Sequence, residues 1–200
     1  MRKLFVATSN AHKLDEMRSI FTAGWQLIGM REAGFHGDID EHGDTLEENA
    51  YLKAKALFEH LGGGWVIGED TGLEVEALGG KPGARTARFA GEGATAQDNM
   101  AKLLRLLEGV SDRSAQFRTV IALIDPGGGV HYFEGVCRGR IAEHPMGTGG
   151  FGYDPIFIPE GYEKSFAALP AEVKNSISHR ARALAELRDF IRHLEEKPAP

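Results

Sequence analysis

Residues 116–136 constrain the fold more than any other stretch of this chain. The apolar, β-branched run FRTVIALID is followed by Pro126-Gly127-Gly128-Gly129 and then by a second strand-like run, VHYFEGV. Two such runs joined by a short Pro/Gly turn predict a β-hairpin, whose strands pair antiparallel. A sheet built on that pair cannot be wholly parallel. Around it the chain alternates strand and helix signals. Residues 2–8 (RKLFVAT) predict a strand, and a polar loop then leads into a helix on which Leu14, Met17 and Phe21 recur at helical spacing. Thr45 and Glu48 form a Thr-x-x-Glu box ahead of a helix that runs to Leu61, where Gly62, Gly63 and Gly64 stop it. WVIG (65–68) predicts a buried strand ending at Glu69 and Asp70, and Thr95 with Asp98 opens a helix through Leu107. Residues 138–145 predict another strand, and a last helix over 177–195 buries Ile177, Ala181, Leu184, Leu187, Ile191 and Leu194. No repeat and no separating linker interrupts the order, so the expectation is a single α/β domain over residues 1–200, with a mixed sheet.

A chain of 200 residues, 42% hydrophobic and 26% charged, suits a globular domain with a substantial core. Its 26 glycines are about twice the usual share, so many backbone positions can turn sharply or come close to a ligand. Cys137 is the sole cysteine, which rules out an intramolecular disulfide and fits a reducing compartment; cytoplasm is the expectation. Met1-Arg2-Lys3 starts like a charged leader, but the apolar stretch Leu4 to Ala7 gives way to Thr8, Ser9 and Asn10, far short of a signal peptide. The later aliphatic run Val120 to Ile124 is too short to cross a bilayer. A net charge of −6 argues against wrapping a nucleic-acid backbone, which calls for a basic face. The expected partner is a small anion held locally, with neither nucleic acid nor membrane.

Five clusters can carry chemistry, and each has a plainer reading beside it. Thr8-Ser9-Asn10-Ala11-His12-Lys13 lies where a strand turns into a helix; its amides, the helix dipole and Lys13 would cradle a phosphate, while the same residues also serve as ordinary caps. Lys53 points inward: at about 100° per residue it falls on the stripe of Leu46, Ala50, Ala54, Leu57 and Leu61, with Asn49 at the border. An inward lysine snorkels to the surface, pairs with a carboxylate, or meets an anionic ligand. Glu41 and Asp44 lie in a turn, and Glu69 and Asp70 close a strand; acids at strand ends open onto the usual ligand crevice and suit Mg²⁺, yet Asp70-Thr71-Gly72 also reads as a polar turn. In Gly147-Thr148-Gly149-Gly150-Phe151-Gly152-Tyr153-Asp154 the glycines concentrate around a stacking ring and a carboxylate able to accept from a ring N–H, or form a plain turn. The loop matches neither a P-loop nor a dinucleotide fingerprint. Lys174 to Arg180 (KNSISHR) puts three basic groups at the start of the last helix, against its dipole at a cost of about 0.3–1 kcal/mol each, which a bound anion or carbonyl would offset and solvation would also relieve.

In order and wording these blocks resemble the inosine triphosphate pyrophosphatase family of noncanonical purine NTP hydrolases. The likeness runs from Arg2 to about Leu194 and rests on TSNAHK, on Glu41 before TLEENAYLKAKA, on GEDTGLEVEALGGKPGARTARFAG (68–91), on GTGGFGYDPIF (147–157) and on KNSISHR (174–180). The resemblance implies an elongated mixed β-sheet flanked by helices, with two lobes around a central cleft, in a homodimer. It implies that Thr8 to Lys13 grip the triphosphate with Lys53, and that Asp70 takes the proton of the attacking water and binds Mg²⁺ with help from Glu41. Thr71 would touch substrate, and Phe151, Gly152, Tyr153, Asp154, Lys174, His179 and Arg180 would hold base and sugar. EDTGL stands here where many relatives carry DDSGL; Thr71 keeps the hydroxyl, and the role of the longer Glu69 stays open.

The expected reaction is in-line attack of water on the α-phosphorus of ITP, dITP or XTP, releasing the monophosphate and pyrophosphate, chemistry that depends chiefly on positioning and charge. Hydrogen bonds from His179 or Arg180 and loop amides to O6 would favour a 6-oxo purine, since a donor facing an adenine amino group is left unpaired. A related pyrophosphatase acting on modified pyrimidine or methylated nucleotides, and a nucleotide sensor without catalysis, are the alternatives. The first is separated by comparing substrates, the second by pyrophosphate release, and the acids at 41 and 70 weigh against a sensor.

Overall fold

The computed structural model describes residues 1–21 and 24–196. Their strands are β1 (Arg2–Val6), β2 (Trp25–Gly29), β3 (Val66–Val75), β4 (Pro82–Gly83), β5 (Ser114–Ile124), β6 (Val130–Ile141) and β7 (Phe157–Pro159). The helices are α1 (Ala11–Ile20), α2 (Leu46–Leu61), α3 (Ala96–Leu106), α4 (Ala171–Ile177) and α5 (His179–Glu196). Hydrogen bonds order the strands β2–β1–β3–β5–β6–β7, with β4 attached to β3. β1 is parallel to β2 and β3, whereas β4 and β7 run antiparallel to β3 and β6, so the sheet is mixed. At the hairpin tip Asp125 N donates to Gly129 O at 2.9 Å, and the Asp125 carboxylate accepts from the Gly127 and Gly129 amides, which fixes the turn.

The chain divides into two compact units. One takes Met1–Asp70, Thr119–Gly135 and the segment from His179 onward; the other takes Thr71–Arg118 and Val136–Ser178. In the first, Leu4, Val6, Leu27, Ile67, Ile121 and Leu123 of the strands pack against Met17 of α1 and against Leu184, Leu187 and Ile191 of α5. In the second, Leu73, Val75, Phe117, Cys137 and Ile141 meet Leu103, Leu107 and a cluster of rings in which Phe117 lies 4.5 Å and Phe166 5.2 Å from Phe157. At about 25 cal/mol per Å² of apolar surface, burial of this kind is what holds each unit.

Helix starts follow the sequence closely. Thr45 Oγ1 accepts from Glu48 N at 3.1 Å, although Glu48 turns its carboxylate to the Asp44 amide instead of closing the box, and Thr95 with Asp98 makes a complete capping box. Three expectations fail. β3 does not end at Asp70 but continues to Val75; residues 138–145 are not a separate strand, because β6 runs through to Ile141. The last helix is two helices, broken at the extended residue Ser178. Ile177 therefore packs in the second unit's core while Ala181, Leu184, Leu187 and Ile191 are buried with α5, and Leu194 is 40% exposed. A break of one residue leaves the apolar spacing intact, so periodicity cannot reveal it. β2, β4 and β7 are short strands of 5, 2 and 3 residues that the sequence pattern does not mark.

Candidate active site

The first unit's charged cluster is built on the middle of β3. Successive strand residues face opposite sides of a sheet, and here Asp70 turns to α2 while Glu69 turns to α1 and α5. Gly68, two residues before Asp70, also faces α2, and it is the reason the helix comes so close: a Cβ there would fall on the Ala50 carbonyl oxygen and 2.7 Å from the Ala54 amide. That approach brings one face of α2 onto the strand. Lys53, 7% exposed, does not snorkel; its Nζ donates to Glu69 O (2.9 Å) and pairs with Glu41 Oε1 (2.9 Å) and Asp70 Oδ1 (3.5 Å). Asn49, one helical turn earlier, donates through Nδ2 to Asp70 Oδ2 at 3.1 Å and accepts the Gly43 amide at 2.9 Å. It thus orients the carboxylate and ties down the loop that carries Glu41.

On the other side of β3, Glu69 is fully buried and accepts two N–H groups of Arg180, from Nε and from Nη2 (3.0 Å). Arg180 Nη1 donates to Glu16 of α1 at 2.6 Å, and Lys13 Nζ pairs with Glu69 Oε1 at 3.2 Å. Bidentate Arg–carboxylate pairing of this kind is geometrically strict. At the start of α1 the capping reading holds for two residues: Asn10 Oδ1 accepts from Lys13 N (3.2 Å) and Thr8 Oγ1 from Asn10 N (3.1 Å). Ser9, Ala11 and His12 are exposed there.

Burial sets the direction of protonation at Asp70 and Lys13. It raises Asp70 above the ordinary carboxylate range, with Lys53, Lys13 and the Asn49 hydrogen bond opposing and Glu41 reinforcing. Burial also lowers Lys13; Glu69 resists, Lys53 and Arg180 add to the lowering, and Asp70 resists. For Lys53 burial works in the lowering sense too, but Asp70, Glu41 and Glu69 outweigh it and hold the ammonium above its usual value. Lys13, Lys53 and Asp70 are therefore within electrostatic reach of one another.

The second unit holds its own cluster. Asp154, 3% exposed, accepts through Oδ2 from Lys174 Nζ (2.7 Å) and Phe151 N (3.0 Å). Gly150, at φ +65°, leaves room for that carboxylate, on which a Cβ would collide. Lys174 Nζ lies 4.7 Å from the Phe151 ring centre and 5.7 Å from that of Phe166, within cation–π range. Tyr153 donates its hydroxyl to Thr86 O at 2.7 Å, and burial pushes that phenol up. Lys174 sits in the last turn of α4, where its charge suits the dipole, not at a helix start as the sequence implied. Thr71 follows Asp70 on β3 as the first residue of this unit, half-buried, and His179 opens α5 in the other unit at 3% exposure.

A model of the Ham1 family matches residues 4–190. The chain belongs to the Ham1 family. A Porphyromonas gingivalis protein named dITP/XTP pyrophosphatase is 52% identical over 192 residues, spanning 96% of this chain and 98% of that one. One of the same name from Caldanaerobacter subterraneus is 48% identical over 201 residues, 98% and 100% of the two chains. The solved Staphylococcus aureus Ham1 protein superposes with a TM-score of 0.86 at 39% identity, over 96% of this chain and all of the other. These matches agree with the resemblance drawn from the five sequence blocks. Asn49 and Glu16 join these clusters beyond the residues that the motifs point to, and Glu69 gains partners in Arg180 and Lys13. Asn49 sits four residues before Lys53 on one helix face, and Glu16 three after Lys13, so helical spacing was the available signal.

Proposed function

We propose that this chain is a nucleoside triphosphate pyrophosphatase that converts ITP, dITP and XTP into the monophosphate and pyrophosphate. The observation that carries the reading is Asp70: a carboxylate buried in mid-strand, oriented by Asn49, facing Lys53, with its proton affinity raised by burial. Such a group is suited to take a proton from water. The similar dITP/XTP pyrophosphatases support the substrate class.

In this mechanism Asp70 accepts the proton of a water that attacks the α-phosphorus in line, the bond from that phosphorus to the bridging oxygen breaks, and pyrophosphate leaves with the electron pair. Lys13 and Lys53, with the Thr8 to His12 segment at the α1 terminus, offset the phosphate charge. Mg²⁺ would be held by Glu41 and Asp70. The fit rests on the donor set: both carboxylates already converge on one cation, the Lys53 ammonium, and Mg²⁺ uses one or two carboxylates with phosphate and water completing its shell. Among the described residues no group of three or more His, Cys, Asp or Glu gathers at metal-ligand spacing, as a shared shell of that kind would not need. When bound, the ion supplies charge neutralisation at the phosphate oxygens. Phe151, Gly152, Tyr153, Asp154, Lys174, His179 and Arg180 take base and sugar, and Thr71 contacts substrate. Residues 1–200 are taken as one catalytic domain. A homodimer in the cytoplasm completes the proposal, supported by the family and by the lone Cys137; no described helix is long and apolar enough to cross a membrane.

Pyrophosphate release across ITP, dITP, XTP, ATP, GTP and modified dUTP, with and without Mg²⁺, tests the reading. ITP, dITP and XTP are expected to exceed ATP by roughly 10²-fold or more in kcat/KM, because the donors proposed to read O6, His179 and Arg180, are buried. Equal rates on all nucleotides, or turnover undiminished by chelation, would overturn it. The pH profile gives a second check. Asp70 is raised, so kcat/KM falls on the acid side at a pH above the ordinary aspartate value of about 3.9. Lys13 is lowered, so KM rises on the alkaline side before an exposed lysine would titrate, near 10.4. A flat profile from about pH 4 to 10 would contradict both assignments.

A further inference from the structure

The buried charges behind β3 form a chain with alternating sign: Glu16, Arg180, Glu69, Lys13. Glu69 and Arg180 are 0% and 1% exposed, Glu16 is 9% exposed, and only Lys13, at 18%, reaches toward solvent. Burying four charges is a costly way to join α1, β3 and α5, since apolar side chains of similar volume hold such elements equally well or better. The arrangement has a direction, however. Arg180 donates three hydrogen bonds to carboxylates, two to Glu69 and one to Glu16, so its guanidinium is directed at protein groups and not outward. That fixes both Glu69 oxygens, and Oε1 is in turn 3.2 Å from Lys13 Nζ. A lysine stem is long and loosely held, and Lys13 sits in the first turn of α1, where the helix dipole repels its charge. Without an anchored counter-charge its ammonium would not stay in one place.

We propose that Glu69 is a positioning residue which, braced by Arg180 and Glu16, holds the Lys13 ammonium where the substrate's phosphates are gripped. The inference rests on the pyrophosphatase reading and deepens it: Arg180 contributes to the phosphate grip through Glu69 and Lys13. Because a held cation grips phosphate alike in ground and transition states, its loss shows in KM more than in kcat.

The test is steady-state kinetics on ITP with Glu69→Gln, Lys13→Met and the double variant, all in the full chain. Active wild type secures the underlying reading; an inactive wild type overturns that reading rather than this one. Glu69→Gln is expected to raise KM about tenfold or more while kcat falls less than about threefold. Added to Lys13→Met it is expected to change KM no further, since both act at one ammonium. Glu69→Asp, which keeps the charge, is expected to restore part of the lost affinity. A purely structural Glu69 would lower the melting temperature and leave KM unchanged, or would add its full effect on top of Lys13→Met; either result overturns the proposal. If Glu69→Gln does not fold, Glu16→Gln loosens the outer end of the chain and takes its place. It is expected to raise KM in the wild-type background and not beside Lys13→Met, and an unchanged KM in the wild-type background counts against the proposal.

Discussion

The Asp70→Asn enzyme is expected to lose about 10³-fold in kcat, roughly 4 kcal/mol of transition-state stabilisation, while still folding and binding nucleotide. The substitution removes the buried carboxylate that Asn49 orients and Lys53 faces. Stability should move the other way. The fold raises Asp70 above its unfolded value, so the ionised side chain is disfavoured in the native state; stability gained by protonation appears only as pH falls through the raised value. At neutral pH the carboxylate is a cost. An amide of the same shape removes that cost and still accepts from Asn49, while Lys53 keeps Glu41 and the Glu69 carbonyl. Thermal melting should therefore give a midpoint equal to or above that of the wild type. Pyrophosphate release within tenfold of the wild-type rate would remove Asp70 as the base.

Gly68→Ala is expected to damage both stability and rate without touching a charged group. The added methyl has nowhere to go: it meets the backbone of α2 at Ala50 and Ala54, and backbone cannot rotate aside as a side chain can. Overpacking of this kind costs about 3 kcal/mol, and for a chain of this length that is a fall of roughly 6–12 °C in Tm. The helix that recoils carries Lys53 and Asn49 away from Asp70, and a displacement of about 1 Å in a positioned site costs on the order of 10²-fold in kcat. A melting scan with kinetics on the folded fraction checks both parts. Should the variant melt and turn over like the wild type, the close approach of α2 to β3 is not what sets the geometry.

The two variants also mark how far the sequence could be read. The inward placement of Lys53 was legible, because a helix has a fixed period and Leu46, Ala50, Ala54 and Leu57 mark its buried face; the structure buries all of them together with Lys53. The hairpin was legible because a Pro/Gly turn between two apolar runs leaves the chain few other courses, and the capping of α3 because both partners lie within four residues. Local chemistry determined these features.

Glu69 and Asp70 lay beyond that reach. An adjacent pair of acids followed by Thr71 and Gly72 looks like the end of a strand, since a lone charge does not remain buried. The strand nevertheless runs on to Val75, because each acid meets a cation or donor supplied from elsewhere: Lys53 and Asn49 from α2, Lys13 from α1, and Arg180 from a position 111 residues along the chain. Which charge finds which partner is not a property of any local window. The candidate residues were evident from sequence; which of them pair with one another in the interior was decided only when the tertiary fold matched buried charges.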